Sequence, residues 1–295
     1  KTAHVFRQRF MKRLWQEGID THIILGNHDT YYKNTNDVNS ITELCTTYDG
    51  KNEPWIYSKT TTVNFDGLDI LMIPWICDDN LEHSKEQIKN SKAQIAMGHL
   101  EIKGFEMHNG TYNNQGLDKS TFKRFEKVIS GHFHKKSDDG QIYYCGNQYE
   151  ITWSDYKCPK GFHIFDTDTR ELLRVPNPIR IHRKLIYNDK EEDYSKKDLS
   201  SFENTFVKIF VTNKTNEEMF NNLIDRFHNT INVHEINIIE DLTTDITTSI
   251  KEDILDQGED TLTFLGNYVE QADTKLDKQK LKKTIKELFS EAIER

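Results

Sequence analysis

The sequence predicts an α/β fold on three observations. Short apolar runs recur from residue 1 to about residue 180, several are continuous rather than alternating, and helical or loop-forming stretches separate them. Continuous runs suit strands buried on both faces, because neither face is left to water. The strand candidates are 21–25, 61–65, 68–73, 94–97, 127–130, 141–145 and 161–166. A chain of 295 residues has room for one large core and a smaller attachment.

The first element reads as a helix. In "TAHVFRQRFMKRLWQEG", Phe6, Phe10, Leu14 and Trp15 fall near one face at helical spacing, Gly18 ends the pattern, and no capping residue precedes it. With Lys1 rather than Met in front, the expectation is a chain that starts inside an element. Around Pro176 and Pro178 the core pattern breaks, and a polar stretch from Asp189 to Ser201 reads as a linker or exposed loop. A small βαβ-like unit follows: "TFVKIFV" (205–211), a helix from Glu217 to Phe227, and "INVHEINII" (231–239).

Residues 241–260 carry seven acidic side chains against one Lys, a composition that builds no core and reads as a flexible linker. Beyond it, "TLTFLGNYVEQA" and "KQKLKKTIKELFSEAIER" read as two helices, the second with Leu281, Ile285, Leu288 and Phe289 on one stripe. That stripe either folds back on the main core or docks on a partner, and docking is the reading preferred. The predicted division is therefore 1–180, 181–240, 241–260 and 261–295.

Charge and cysteines narrow the function classes. A net charge of −9 and a pI near 5.8 argue against a bare electrostatic DNA-coating protein; a nucleic-acid role needs a local positive surface, bound cations or a basic partner. Cys45, Cys77, Cys145 and Cys158 lack CxxC spacing and read as reduced thiols of a cytoplasmic protein. No stretch approaches the roughly 18 to 20 apolar residues of a membrane span, and no signal-peptide pattern is present.

The chemistry sits where strands end. "THIILGNHDTYYK" stops an apolar run at Gly26-Asn27-His28-Asp29, "AQIAMGHLEI" puts Gly98-His99 after another, and "KVISGHFHKK" puts Gly131-His132 and then His134 after a third. One such histidine is commonly structural. Three strand-to-Gly-to-His junctions point to a metal site, provided that the strands share a sheet with their carboxyl ends together. His132 and His134 would then face the same way if strand geometry persists.

Neutral imidazoles with an amide oxygen suit manganese, iron or zinc better than calcium, and carboxylates from elsewhere should complete the set. Asp29 is a candidate to orient a neighbouring histidine. His4, His22, His83, His108, His163, His182, His228 and His234 lack this context and read as surface or packing residues.

GNHD, then GH, then GHxH, in that order, resembles the calcineurin-like metallophosphoesterase superfamily. "LMIPWICDDN", "MGHLEIKGF" and "YYCGNQYEITWSD…GFHIFDTDT" resemble specifically the SbcD nuclease subunits of DNA double-strand-break repair and, among them, the recombination endonuclease subunits of T-even phages. The resemblance implies a four-layer sandwich of two mixed β-sheets flanked by helices, a small α+β capping domain on DNA, and a C-terminal helix pair. It implies two Mn2+ ions, with Mg2+ as the alternative. Asn27, His99 and His132 would be ligands of one metal and His134 of the other, with His28 stabilising the transition state or protonating the leaving oxygen.

It further implies an SbcC-like coiled-coil ATPase bound through 261–295, DNA as substrate, and a nuclease homodimer within a 2:2 complex. The segment from Val38 to Tyr48 is the dimer candidate, and a phage-encoded chain would act in the bacterial cytoplasm. Tyr31, Tyr32, Lys33, Lys135 and Lys136 flank the motifs as candidate nucleic-acid contacts.

Two departures stand out. The family's earlier Asp-x-His and Gly-Asp motifs are absent because residue 1 aligns after them, and Gly146-Asn147-Gln148 stands where the family commonly has Gly-Ser-Pro. The expectation is a missing upstream segment rather than a degenerate member. The rival functions are a noncatalytic DNA-positioning adaptor of the ATPase and a phosphatase of the same superfamily.

Overall fold

Leu68–Ile73 shows why the chain makes an α/β core. Leu68, Ile70 and Met72 point to one side of their strand and Leu71 and Ile73 to the other, and all five are buried. The computed structural model describes residues 2–45, 53–108, 111–114, 116–240, 269 and 276–293. The chain divides into two compact units, one of Lys1–Tyr149 and Pro159–Pro178, the other of Glu150–Cys158 and Ile179–Arg295.

In the first unit the opening helix is continuous but not uniform: α1 (Thr2–Phe6) passes into a π-helical stretch, Arg7–Met11, and then α2 (Lys12–Gln16). Gly18 at φ +68 ends it. There follow β1 (His22–Ile24), α3 (Ser40–Cys45), β2 (Trp55–Tyr57), β3 (Thr61–Phe65), β4 (Leu68–Ile73), α4 (Leu81–Asn90), β5 (Ile95–Gly98) and the hairpin of β6 (Glu106–His108) and β7 (Thr111–Tyr112). The unit closes with β8 (Lys127–Ser130), β9 (Ser137–Asp138), β10 (Ile142–Tyr144), β11 (Gly161–Phe165) and β12 (Leu172–Pro176).

A six-stranded sheet runs β3-β4-β5-β8-β10-β9. Its four central strands are parallel, and antiparallel β3 and β9 close the edges. The carboxyl ends of the parallel strands thus share one rim. Across it His99 N–H donates to Ile73 O at 3.0 Å and Gly131 N–H to Gly98 O at 2.9 Å. One face packs Leu71, Ala96, Val128, Ile142 and Tyr144 with Ile88 of α4, while the other packs Ile70, Met72 and Ile95 with Tyr57.

The condition that the motif-bearing strands share one sheet is not met among the described residues. There β1 pairs in parallel with β2 alone, in a two-stranded sheet. Side chains hold that pairing: His22 stacks on Trp55 at 4.6 Å between centroids and its Nδ1 lies 2.6 Å from Tyr57 Oη. The tip of β1 still reaches the rim, since Trp75 N–H, just beyond β4, donates to Leu25 O at 2.8 Å.

The second unit is a parallel three-stranded sheet, β13 (His182–Asn188), β14 (Phe206–Asn213) and β15 (Glu235–Ile239), carrying α5 (Glu217–Asn229). Asn216 caps α5 by accepting the Met219 N–H. Phe220, Leu223 and Phe227 at helical spacing bury against Leu185, Tyr187, Val207 and Ile209. The polar stretch after β13 is a largely exposed loop pinned at two points: Tyr194 and Leu199 are buried, and Tyr194 Oη donates to Ile186 O at 2.9 Å.

The chain returns as α6 (Lys278–Ile293), with Leu281 and Ile285 half-buried. The acidic stretch 241–260, the first helix of the expected pair apart from Val269, and the side chains of Leu288 and Phe289 lie outside the described residues. All four cysteines are free thiols. Among the described residues no helix is long and apolar enough to cross a membrane.

Candidate metal centre

The GNHD turn is closed from both sides. Asp29 N–H donates to Gly26 O at 3.1 Å, and Gly26 N–H donates back to Asp29 Oδ2 at 2.7 Å. Asp29 therefore holds the turn rather than orienting a histidine. The turn brings Asn27 Oδ1 to 2.9 Å from His99 Nε2, at the end of β5. His132, beyond β8, places Nδ1 3.3 Å from that same His99 nitrogen.

The glycines of the motifs make room for this meeting. A Cβ on Gly26 would lie 2.8 Å from His99 Cε1, and one on Gly131 would lie 3.2 Å from His99 Nδ1. The His99 ring is therefore slotted between two backbones, closely enough that a side chain at Gly26 would force it to shift and one at Gly131 would crowd it. Trp75 forms a further wall, its ring centroid 5.3 Å from that of His132 and 6.3 Å from that of His99. A cavity of about 170 Å³ opens beside His99, lined by Trp75, Ile76, Leu81, Leu100 and Glu101 among others.

Burial sets the protonation. It drives His99 down to about 3, with His132 and His28 adding electrostatic resistance to a proton. It drives His132 down to about 4, with His28 and His134 adding to it. Both rings are thus neutral at ordinary pH, the state in which imidazole binds metal. Neighbouring donors around an ion with bonds of about 2.1 Å stand about 3.0 Å apart in octahedral geometry. The separations of His99 Nε2 from Asn27 Oδ1 and from His132 Nδ1 fit that spacing. Among the described residues no group of three His, Cys, Asp or Glu side chains is gathered for a metal, so the convergent trio includes an amide oxygen.

The same-face argument for His132 and His134 fails. β8 ends at Ser130, and His132 takes φ +86, so strand alternation does not reach His134. His134 lies close enough to act electrostatically on His132. Its carbonyl accepts the Asn147 N–H at 3.1 Å and the Lys160 ammonium at 2.9 Å.

The flanking residues divide. His28 is exposed, as are Tyr31 at 78% and Tyr32 at 52%, the two tyrosines packed edge to face at 4.8 Å; Lys33 is exposed too. Lys135 is instead paired with Glu106 at 2.7 Å, and Lys136 lies over the Tyr143 ring at 4.8 Å and 3.8 Å from Asp138. Those two lysines are engaged with protein partners. On α3, in the dimer candidate, Arg7 Nη2 caps Glu43 O at 3.1 Å. Sequence reasoning missed Trp75 and Lys160. "IPW" carried a signal for the first, an aromatic one turn past a buried strand, whereas a lone Lys-Gly carries none.

The chain is 37% identical over 207 residues to exonuclease subunit 1 of Enterobacteria phage T4, covering 70% of this chain and 59% of that protein. It is 27% identical over 146 residues to the SbcD subunit of the SbcCD nuclease of Staphylococcus epidermidis, covering 45% and 38%. The corresponding SbcD protein of Staphylococcus saprophyticus is 26% identical over 114 residues, covering 36% and 30%. This chain is a homologue of SbcD-type nuclease subunits. No family model matches it. The SbcD-type similarity spans about three fifths of the phage relative's length and less of the staphylococcal ones.

Proposed function

We propose that this SbcD homologue is the nuclease subunit of an SbcCD-like repair and recombination complex. It would cleave DNA phosphodiesters as an exonuclease on duplex ends and an endonuclease on single strands. The observation that carries the reading is the convergence of Asn27, His99 and His132 from three separate strand ends, with both imidazoles held neutral.

Asn27, His99 and His132 would hold one metal and His134 a second. Two Mn2+ ions, or Mg2+, when bound supply an activated water and a clamp on the phosphate oxygens. The rest falls to the chain. Gly26 and Gly131 keep the His99 ring in its slot. His28, exposed and adjacent to Asn27, would stabilise the transition state or protonate the leaving oxygen. Tyr31 and Tyr32 offer exposed ring faces for unstacked bases.

The wider architecture in this proposal is the four-layer sandwich with DNA capped by residues 181–240. The shared apolar cluster of Ile24 and Tyr57, from the β1-β2 pair, with Ile70, Met72 and Ile95 of the six-stranded sheet supports the first part, and the separate three-stranded unit supports the second. Residues 261–295 would bind the coiled-coil ATPase, in a 2:2 complex with a nuclease homodimer formed near 38–48, in the cytoplasm of the host cell. The names of the relatives as subunits support a partner.

The test is degradation of end-labelled duplex and single-stranded DNA by the intact protein, with Mn2+ and with EDTA. Metal-dependent cleavage of DNA, with none of phosphopeptides, is the expected result. DNA binding without cleavage would leave a noncatalytic adaptor, and phosphopeptide turnover alone a phosphatase.

A further inference from the structure

Lys160 is 1% exposed. An ammonium group taken from water must replace its hydration with acceptor oxygens, so lysine is seldom buried without a specific partner. Its Nζ donates to His134 O at 2.9 Å, across 26 residues of sequence. The same carbonyl accepts Asn147 N–H, so both of its lone pairs are used.

The rest of the loop is equally confined. Gly146 sits at φ +70 where a Cβ would fall 2.8 Å from Lys136 N and 3.0 Å from His134 O. Lys160 is itself anchored: its carbonyl accepts Asn177 N–H at 2.9 Å, and Gly161 after it packs on Val175 O. Residues 131–136 lack strand pairing and include His132 at φ +86. A non-glycine residue holds that conformation only where its surroundings over-determine it.

We propose that Lys160 is a positioning residue for the metal-binding loop: its buried ammonium fixes the His134 carbonyl, and through it the orientation in which His132 and His134 face an ion. The metal part of this inference rests on the metallonuclease reading above, while the loop-holding part stands on the hydrogen bonds alone.

The test compares the intact wild-type protein with Lys160→Met, which keeps the stem and removes the donor. Lys160→Gln is the substitute if the first variant does not fold. Amide hydrogen exchange of residues 131–136 is followed without metal, and Mn2+ affinity by calorimetry. Exchange should rise about tenfold or more in that loop. Mn2+ affinity should fall by about ten- to a hundredfold, the usual effect of losing a group that orients ligands. Exchange in the β13–β15 sheet should not change.

Ile70→Ala, a core truncation on the opposite face of the sheet from Phe133, controls for lost stability and should leave the loop and the affinity unchanged. Wild-type exchange and affinity in Lys160→Met, or the same profile in both variants, would overturn the proposal. A wild-type protein that binds no Mn2+ would overturn the metallonuclease reading instead, with the exchange comparison still deciding whether Lys160 holds the loop.

Discussion

His99 Nε2 stands between two residues distant in sequence, 2.9 Å from Asn27 Oδ1 and 3.3 Å from His132 Nδ1. One nitrogen faces both neighbours. Replacing His99 by Ala removes that shared vertex without adding bulk. The expected result is a loss of Mn2+ affinity of at least about a hundredfold, since a ligand should count for more than the groups that orient it. Calorimetric titration of the folded variant checks it.

Gly26→Ala tests the slot rather than the ligand. The new methyl meets the His99 ring at 2.8 Å. Overpacking of this kind costs about 1 to 3 kcal/mol. Urea unfolding should show that loss, and Mn2+ affinity should fall with it because the ring is pushed from its place between Asn27 and His132.

The metal-free protein should lose stability in acid over a defined window. His99 and His132 titrate at about 3 and about 4 when folded, through burial and then neighbouring imidazoles, against about 6.5 when unfolded. The unfolded chain therefore binds more protons between those values. The stabilisation is fully present above pH 6.5 and is lost as pH falls toward 4 and then 3, on the order of a few kcal/mol in all. Urea midpoints of EDTA-treated protein should decline through this window, and less steeply in His99→Ala.

Tyr31 and Tyr32 carry the opposite expectation, function without stability. Both are largely exposed. Replacing both with Ala should leave unfolding within about 0.5 kcal/mol of wild type. Affinity for single-stranded DNA should drop by about 1 kcal/mol or more for each base stack lost, read by fluorescence anisotropy.

Glu150 is the stability centre of the second unit. Its fully buried carboxylate accepts from Arg180 Nη1 at 3.2 Å and from the Ile181 and His182 N–H groups at 2.9 Å each. Glu150→Ala leaves Arg180 and two backbone donors without that acceptor. A loss of about 3 kcal/mol or more is expected in chemical unfolding, with a smaller loss for Glu150→Gln.

Much of the core was legible because its strands announce themselves. Thr61–Phe65, Leu68–Ile73 and Lys127–Ser130 fall where apolar runs predicted them. The meeting of Asn27, His99 and His132 was legible too, from repeated Gly-ligand junctions at strand ends. β13 was not, since Arg183 and Lys184 interrupt its apolar pattern. The separate sheet of β1 was hidden because its pairing depends on ring contacts of His22 with Trp55 and Tyr57, which no periodicity encodes. The fate of 131–136 was hidden for a related reason. It turns on one residue at positive φ, and on a buried lysine that donates to a backbone oxygen.

The chain leaves the first unit after Tyr149, returns at Pro159, and leaves again after Pro178. The second unit is therefore not a cassette that could be excised at one junction. During synthesis Glu150 emerges about thirty residues before Arg180, Ile181 and His182, and until they arrive its carboxylate stays solvated and the nine-residue piece has nothing to join. The order in which the two units mature is thus written into where the backbone crosses between them.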